Sequence, residues 1–159
     1  MSIPAVGDQA PEIALPDETG SVHHLADQRG RWTILYFYPE DDTPGCTTEA
    51  CEFRDRNDVI HERGADVWGV SPDGAASHRK FREKFELPFT LLADEGHKAA
   101  DAYGAWAEKL NYGKRYFGIV RSTFLERRST TLNTRLTISK VAAAMRPPTR
   151  ELSPFIIAF

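Results

Sequence analysis

The stretch that decides the fold reads Tyr36-Phe37-Tyr38-Pro39-Glu40-Asp41-Asp42-Thr43-Pro44-Gly45-Cys46-Thr47-Thr48-Glu49-Ala50-Cys51. Aromatic and aliphatic residues over Trp32–Tyr38 predict a buried strand of a parallel sheet. Pro39 ends that strand, an acidic loop follows, and Thr43 before Pro44 predicts the N-cap and first residue of a helix. Cys46 then falls in the first helical turn, where backbone N–H groups have no intrahelical partner. Both cysteines of the chain lie in this one segment.

This pattern favours a reactive Cys46. The thiolate is the nucleophilic form of cysteine, and a helix N-terminus stabilises it by only about 0.3–1 kcal/mol when exposed. Nearby acidic residues oppose that effect: Glu40, Asp41, Asp42, Glu49 and Glu52. We therefore expect a cation from elsewhere in the chain to be directed at Cys46. The alternative is a small, inert loop residue, which the capping pattern and the second cysteine five positions later make less favourable.

The segment resembles the active site of the peroxiredoxins, specifically the bacterioferritin-comigratory or peroxiredoxin Q branch. Pro39, Thr43 and Cys46 meet the family pattern Pro-x-x-x-Thr-x-x-Cys. The flanking Thr-Pro-Gly-Cys-Thr-Thr-Glu-Ala-Cys is typical of the branch and ends at Cys51. The resemblance extends from about Val6 to about Leu125 and includes the later stretches Gly-Val-Ser-Pro-Asp, Leu-Pro-Phe and Arg-Ser-Thr-Phe.

The resemblance implies a thiol-dependent peroxidase. The Cys46 thiolate would reduce hydrogen peroxide or an alkyl hydroperoxide and become a sulfenic acid. Cys51 would resolve it as an intrachain disulfide, which thioredoxin or a similar dithiol would reduce. By the same resemblance, Thr43 would hold the peroxide, Pro39 would shield the site, and Arg121 would supply the cation.

The expected substrate site comprises Thr43, Gly45, Cys46 and Arg121, with backbone N–H groups stabilising negative charge on oxygen. No metal, haem, flavin or other cofactor is expected. A zinc site is disfavoured because Cys46 and Cys51 lack a second ligand pair, and the adjacent His23 and His24 would point to opposite faces of a strand. The alternative function is a disulfide oxidoreductase or redox-sensing binding module without peroxide turnover. The missing Cys-x-x-Cys counts against it.

Outside the central segment, strand and helix patterns alternate. This alternation predicts an α/β fold with a mixed or parallel sheet, and the resemblance implies a thioredoxin-like fold with a central mixed sheet flanked by helices. Residues 104–113 are predicted to form a loop, and the basic run from His78 to Lys84 a solvated helix face. The other predicted strands are Glu12–Leu15, Ser21–Leu25, Ala65–Val70, Phe89–Leu92, Phe117–Val120 and Thr123–Leu125, and the predicted helices are Thr47–Glu62, Ser77–Phe85 and Gly96–Tyr103.

Composition is that of an ordinary globular domain. The 159 residues are 41% hydrophobic and 27% charged, with a net charge of −3, which gives no reason to expect nucleic acid or an anionic membrane as partner. No signal peptide or transmembrane segment is evident. Two cysteines and no targeting segment favour a reducing cytoplasm. We expect a monomer or weak homodimer.

The C-terminal part departs from the rest. Residues 126–159 contain six Lys or Arg against two Asp or Glu, and no glycine follows Gly118. The tight turn expected before a closing hairpin strand is therefore missing, and Ile138–Met145 predicts a short helix. We divide the chain into a peroxiredoxin-like domain, 1–125, and an atypical segment, 126–159. A change of coding frame or a divergent tail that packs or mediates dimerisation would each explain the shift.

Overall fold

The computed structural model describes residues 3–5, 8–128 and 136–140. Its strands are β1 (Ala14–Pro16), β2 (Val22–His24), β3 (Trp32–Phe37), β4 (Ala65–Ser71), β5 (Thr90–Ala93), β6 (Trp106–Asn111), β7 (Lys114–Ile119), β8 (Ser122–Arg128) and β9 (Leu136–Lys140). Its α-helices are α1 (Pro44–Asp55), α2 (Asn57–Glu62), α3 (Ala75–Phe85) and α4 (Lys98–Ala102), and a short 3-10 helix spans Leu25–Asp27.

A five-stranded mixed sheet in the order β5–β4–β3–β8–β9 forms the centre of the fold. The strands β3, β4 and β5 are parallel, whereas β8 and β9 are antiparallel to their neighbours. Helices α1 and α2 make the crossover that joins β3 to β4, as parallel pairing requires. The predicted fold class, a central mixed sheet flanked by helices, is confirmed.

Alternate residues of β3 supply the two faces of this sheet, since successive side chains on a strand point in opposite directions. Leu35 and Phe37 belong to a buried cluster with α4 and the N-terminal segment. Ile34 and Tyr36 belong to a second cluster with α1 and α3. That second cluster includes Cys46, so the reactive segment is anchored directly on the sheet.

Two predictions about local structure are wrong. The predicted single helix Thr47–Glu62 is two helices separated at Arg56 (φ −112°, ψ 2°), between Asp55 and Asn57, both poor helix formers. The predicted loop 104–113 contains β6 and the turn that leads to its antiparallel partner β7, which begins at Lys114. Tyr112 and Gly113 both have positive φ, as a two-residue hairpin turn of type I′ requires.

The C-terminal part also differs from its prediction. Strand β8 crosses residue 125, and its residues 124–128 pair with β9. Residues 138–140 are therefore strand rather than helix, because pairing along the edge of the sheet overrides a weak local helix preference. The remainder of the predicted Ile138–Met145 helix, and the connection 129–135, lie outside the described residues.

Candidate active site

The predicted site lies where β3 ends and α1 begins, at the carboxyl end of the parallel strands. Thr43 occupies the N-cap of α1, Pro44 lies in its first turn, and Cys46 follows with only 2% of its surface exposed. Both cysteines are free thiols within this one helix, and Cys51 is half-buried. The start of the helix is therefore where the sequence predicted it.

Thr43 does not cap the helix with its side chain. Its hydroxyl instead donates to the backbone oxygen of Glu40 at 3.0 Å. Because that hydrogen bond uses the hydroxyl proton, the oxygen retains lone pairs that can accept a hydrogen bond from a hydroperoxide O–H. The side chain is thus arranged as an acceptor beside the first turn that carries Cys46.

Arg121 is the cation that the sequence required. It lies in the short connection between β7 and β8, 75 positions along the chain from Cys46, and its Nη2 donates to Cys46 Sγ at 3.1 Å. Burial alone would lower the pKa of Arg121, but the hydrogen bond to Cys46 and the charge of Glu49 outweigh burial and raise it. The guanidinium therefore stays charged beside the sulfur, where a positive charge favours the thiolate.

Glu49 holds the other side of the same guanidinium. Its carboxylate accepts from Arg121 Nη1, and only 7% of its side chain is exposed. Burial raises the pKa of Glu49, and Arg121 offsets part of that rise. The sequence analysis counted Glu49 among the acids that oppose a thiolate. In the structure its charge is paired with Arg121, and the pairing fixes the orientation of the guanidinium.

The remaining predicted residues lie around the contact of Arg121 with Cys46. Pro39 is exposed at the start of the loop that leads to α1. Gly45 lies beside the guanidinium, since a Cβ added there would sit 3.5 Å from Arg121 Nη2. Cys51 lies about 1.4 turns along α1 from Cys46. The structure thus brings Gly45, Cys46 and Arg121 together, places Thr43 at the N-cap of the same helix, and leaves Pro39 exposed.

His78 is a buried residue that the sequence analysis missed. The prediction of a solvated face for His78 is wrong, because its side chain is 0% exposed and its Nδ1 lies 2.8 Å from Oδ2 of Asp41. Burial would lower the pKa of His78, but the hydrogen bond and the charge of Asp41 raise it. The spacing of His78, Phe81 and Phe85 at i, i+3 and i+7 was the available signal for one buried helix face.

The site therefore combines a buried cysteine at a helix start, a guanidinium on its sulfur and a hydroxyl acceptor nearby. In general, a positive charge beside a cysteine sulfur favours the nucleophilic form, and fixed donors stabilise negative charge that develops on a nearby oxygen. This constellation and the mixed sheet define the thiol peroxidases built on a thioredoxin-like fold.

The chain belongs to the AhpC/TSA family, whose model matches residues 6–134. Its similarity is to the Bcp, or peroxiredoxin Q, branch. Peroxiredoxin Bcp of Bacillus subtilis (strain 168) is 51% identical over 120 residues, which are 76% of this chain and 76% of that protein.

Solved structures of the same branch are also similar to this chain. A peroxiredoxin Q structure from Xanthomonas campestris is 39% identical with a TM-score of 0.68, covering 71% of this chain and 72% of that one. The Xanthomonas campestris bacterioferritin comigratory protein, studied for alkyl peroxide reduction, is 34% identical with a TM-score of 0.69, covering 83% of each chain. The chain is a thiol-dependent peroxidase of the peroxiredoxin type.

Among the residues that the structure describes, no helix is long and apolar enough to cross a membrane.

Proposed function

We propose that Cys46 is the peroxidatic cysteine and that Cys51 resolves its oxidised form. The contact between Arg121 Nη2 and Cys46 Sγ carries this proposal, because it places a fixed positive charge on one of the two sulfurs. Within residues 3–5 and 8–128 no hydrogen bond to the Cys51 sulfur is described, and the Arg54 guanidinium acts on that sulfur through its charge alone. The burial of Cys46 also limits its reaction to small oxidants that fit beside the guanidinium.

In the first step the Cys46 thiolate attacks the distal oxygen of a hydroperoxide. An S–O bond forms, the O–O bond breaks, and the departing oxygen leaves as water or an alcohol after taking up a proton. Thr43 accepts the hydrogen bond of the peroxide, and Arg121 with the N–H groups near Gly45 stabilises negative charge on the reacting oxygens. Pro39 limits the access of water from the rim. The product on the protein is a sulfenic acid.

In the second step the Cys51 thiol condenses with the sulfenic acid and releases water, which leaves an intrachain disulfide. Thioredoxin or a similar dithiol then restores both thiols by exchange. A reducing compartment such as the cytoplasm suits this cycle, because the pair must return to thiols at every turnover. The active species is a monomer or weak homodimer, since every proposed catalytic group comes from one chain.

The substrates we propose are hydrogen peroxide and alkyl hydroperoxides. The acceptor oxygen of Thr43 needs only one peroxide O–H, which both classes possess. The solved relative described for alkyl peroxide reduction supports the second class. Comparing the oxidation rates for hydrogen peroxide and for an organic hydroperoxide will establish the preference between them.

Two cysteine variants test the division of labour. Cys46→Ser is expected to abolish peroxide reduction. Cys51→Ser should consume about one equivalent of peroxide per chain and then stop as a sulfenic acid, which a dimedone-type reagent traps for mass spectrometry. Loss of the first turnover in Cys51→Ser but not in Cys46→Ser would reverse the assignment.

A further inference from the structure

A buried carboxylate holds the loop that carries Thr43. Residues 38–43 connect β3 to α1, and the Asp41 side chain at their centre is only 3% exposed. It accepts a hydrogen bond from the Tyr38 hydroxyl at 2.6 Å and from the Ser77 hydroxyl at 2.8 Å, and it pairs with His78 Nδ1 at 2.8 Å. We refer to Tyr38, Asp41, Ser77 and His78 as the Asp41 clamp.

Further contacts fasten the same loop. The backbone N–H of Asp41 donates to Asp73 Oδ2 at 2.8 Å, and the Ser71 hydroxyl donates to the same oxygen at 2.8 Å. The next residue, Asp42, has a left-handed backbone (φ 57°) and accepts from Lys84 Nζ at 2.7 Å. A strained backbone of this kind persists only where the surroundings fix it. The loop is therefore fixed mainly by α3 and by the end of β4.

The clamp explains why an acidic residue is buried so close to a thiolate site. An unpaired buried carboxylate is strongly unfavourable, and its charge would disfavour a second negative charge nearby. His78 compensates for Asp41 from α3, and Asp73 is the other carboxylate close to His78. Tyr38 contributes a neutral hydroxyl. Asp41 can thus anchor the loop while its charge is balanced locally.

We propose that His78, acting through Asp41, is a positioning residue that holds residues 38–43 so that the Thr43 hydroxyl receives the peroxide beside Cys46. His78 contacts Asp41 rather than Cys46. This inference rests on the proposed role of Thr43 as peroxide acceptor. It adds that α3 fixes the position of the Thr43 hydroxyl. It does so through the pair of His78 and Asp41, neither of which reacts with the peroxide. A displacement of about 1 Å at a reacting group lowers a rate by on the order of a hundredfold.

Two requirements for the oxidation of Cys46 depend on different residues. Its reactivity as a thiolate depends on Arg121, whereas the placement of peroxide depends on Thr43 and hence on the clamp. Loss of the clamp should slow oxidation by peroxide but leave alkylation by iodoacetamide unchanged, because alkylation needs the thiolate and not Thr43. General damage to α1 would change both rates.

The experiment compares His78→Leu, His78→Asn and the control His61→Leu in the full-length reduced protein. Leucine fills the volume without donating to Asp41, whereas the Asn amide retains an N–H donor near the position of Nδ1. His61 is matched as another histidine beside a carboxylate, 3.2 Å from Asp66, but its side chain is 67% exposed. Peroxide oxidation is followed in single turnovers, and alkylation of the Cys46 peptide by mass spectrometry.

His78→Leu is expected to be oxidised on the order of a hundredfold more slowly than the unmodified protein, with unchanged alkylation. His78→Asn should recover most of the rate, and His61→Leu should match the unmodified protein. A folded His78→Leu that is oxidised at the normal rate overturns the inference, as does an equal loss of both rates. If His78→Leu does not fold, His78→Met decides, because methionine also lacks an N–H donor but adapts its shape to its surroundings more readily. A normal oxidation rate in His78→Met overturns the inference.

Thr43→Val distinguishes this inference from the proposed function. If Thr43→Val slows oxidation and His78→Leu does not, the role of Thr43 stands and the positioning role of His78 falls. If the unmodified protein shows no oxidation of Cys46 by peroxide, or Thr43→Val is oxidised normally, the proposed site chemistry falls and the positioning role falls with it.

Discussion

At the scale of single residues, one guanidinium contacts two buried groups, a cysteine sulfur and a carboxylate. Arg121 contacts the sulfur of Cys46 with one nitrogen and the carboxylate of Glu49 with the other. Glu49 fixes the guanidinium plane and also balances part of its charge. An arginine suits this position better than a lysine, because its planar fork donates in two fixed directions.

Replacing Arg121 should therefore reduce the thiolate character of Cys46. We expect Arg121→Gln to lower the fraction of Cys46 present as thiolate and to slow its oxidation by about tenfold to a hundredfold, since a hydrogen bond to a charged group is worth about 1.5–3 kcal/mol. Ultraviolet absorbance of the thiolate against pH, with single-turnover oxidation, measures both effects.

The matched control is Arg127→Gln. Arg127 lies on β8 and stacks over the Trp32 ring, 5.4 Å from its centroid, away from the site. It should leave thiolate content and oxidation unchanged. An unchanged thiolate titration in Arg121→Gln would remove Arg121 from the activation of Cys46.

At the scale of elements, α1 cannot form the proposed disulfide as it stands. Five positions along a helix give a rise of about 7.5 Å and a rotation of about 140°, which separate the Cα atoms of Cys46 and Cys51 by roughly 9 Å. A disulfide tolerates at most about 7 Å. The helix buries Cys46, Glu49 and Ala50, and its Phe53 ring packs on Tyr36 with centroids 4.7 Å apart. These are the contacts that must break when the helix opens.

We therefore expect residues 45–53 to unwind when the disulfide forms. Amide hydrogen exchange over this segment should be faster in the oxidised protein than in the reduced protein, while β3 remains equally protected. Hydrogen exchange with mass spectrometry on both states measures this difference. Equal protection of α1 in the two states would show that Cys51 does not resolve Cys46 within the same chain.

Strand β8 carries a buried carboxyl, Glu126, that should make the stability of the protein depend on pH. Glu126 is 1% exposed, and burial raises its pKa to about 8 from an ordinary value of 4.5. Between those values the folded state holds a proton that the unfolded state has released, so stability falls as pH rises through this window. Over this window, the free energy of unfolding falls by about 5 kcal/mol because of Glu126.

Glu126→Gln should remove that dependence. We expect the variant to unfold at higher denaturant concentration than the unmodified protein near pH 8 and to differ little near pH 4.5. Glu108→Gln is the control, because Glu108 is exposed on the β6–β7 hairpin. Parallel stability curves for the unmodified protein and Glu126→Gln across this range would refute a buried, proton-binding Glu126.

At the scale of the whole molecule, the C-terminal strand closes one side of the central sheet. β9 covers β8, whose other side pairs with β3. Without β9, the N–H and C=O groups of β8 would form an open edge that favours association with other chains. The active-site contacts lie earlier in the chain, at residues 43–49 and 121.

Deleting residues 129–159 should therefore lower the free energy of unfolding and promote aggregation, with Cys46 oxidation in the folded fraction unchanged. Deleting only 141–159 retains β9 and serves as the control for its contribution. Denaturant unfolding and single-turnover oxidation measure the two effects. Equal stability of the 129–159 deletion and the full chain would show that β9 contributes nothing to the sheet.

The origin of this C-terminal segment is a separate question at the same scale. If a change of coding frame produced it, another frame of the coding DNA should encode an Asp/Gly turn, a strand and an amphipathic helix after Leu125. Sequencing the coding DNA tests this. If no frame encodes that pattern, residues 126–159 are a genuine divergence.

The sequence by itself determined the α/β class, the strand before the reactive segment and the start of α1, because these depend on short-range patterns of burial and capping. It missed the break at Arg56 and the β6–β7 hairpin, whose Tyr112–Gly113 turn has a less familiar residue pair than Asn-Gly. It also predicted helix where β9 contributes residues 138–140 to the sheet.

Only the tertiary structure decided which charges act on Cys46. Counting neighbours along the chain made Asp41 and Glu49 opponents of the thiolate, yet Asp41 pairs with His78 and Glu49 with Arg121. These pairs join positions 37 and 72 apart in sequence, so no local pattern records them. Burial and charge pairing depend on the distance between groups in the folded chain, and that distance exists only after the sheet has brought α1, α3 and the β7–β8 connection together.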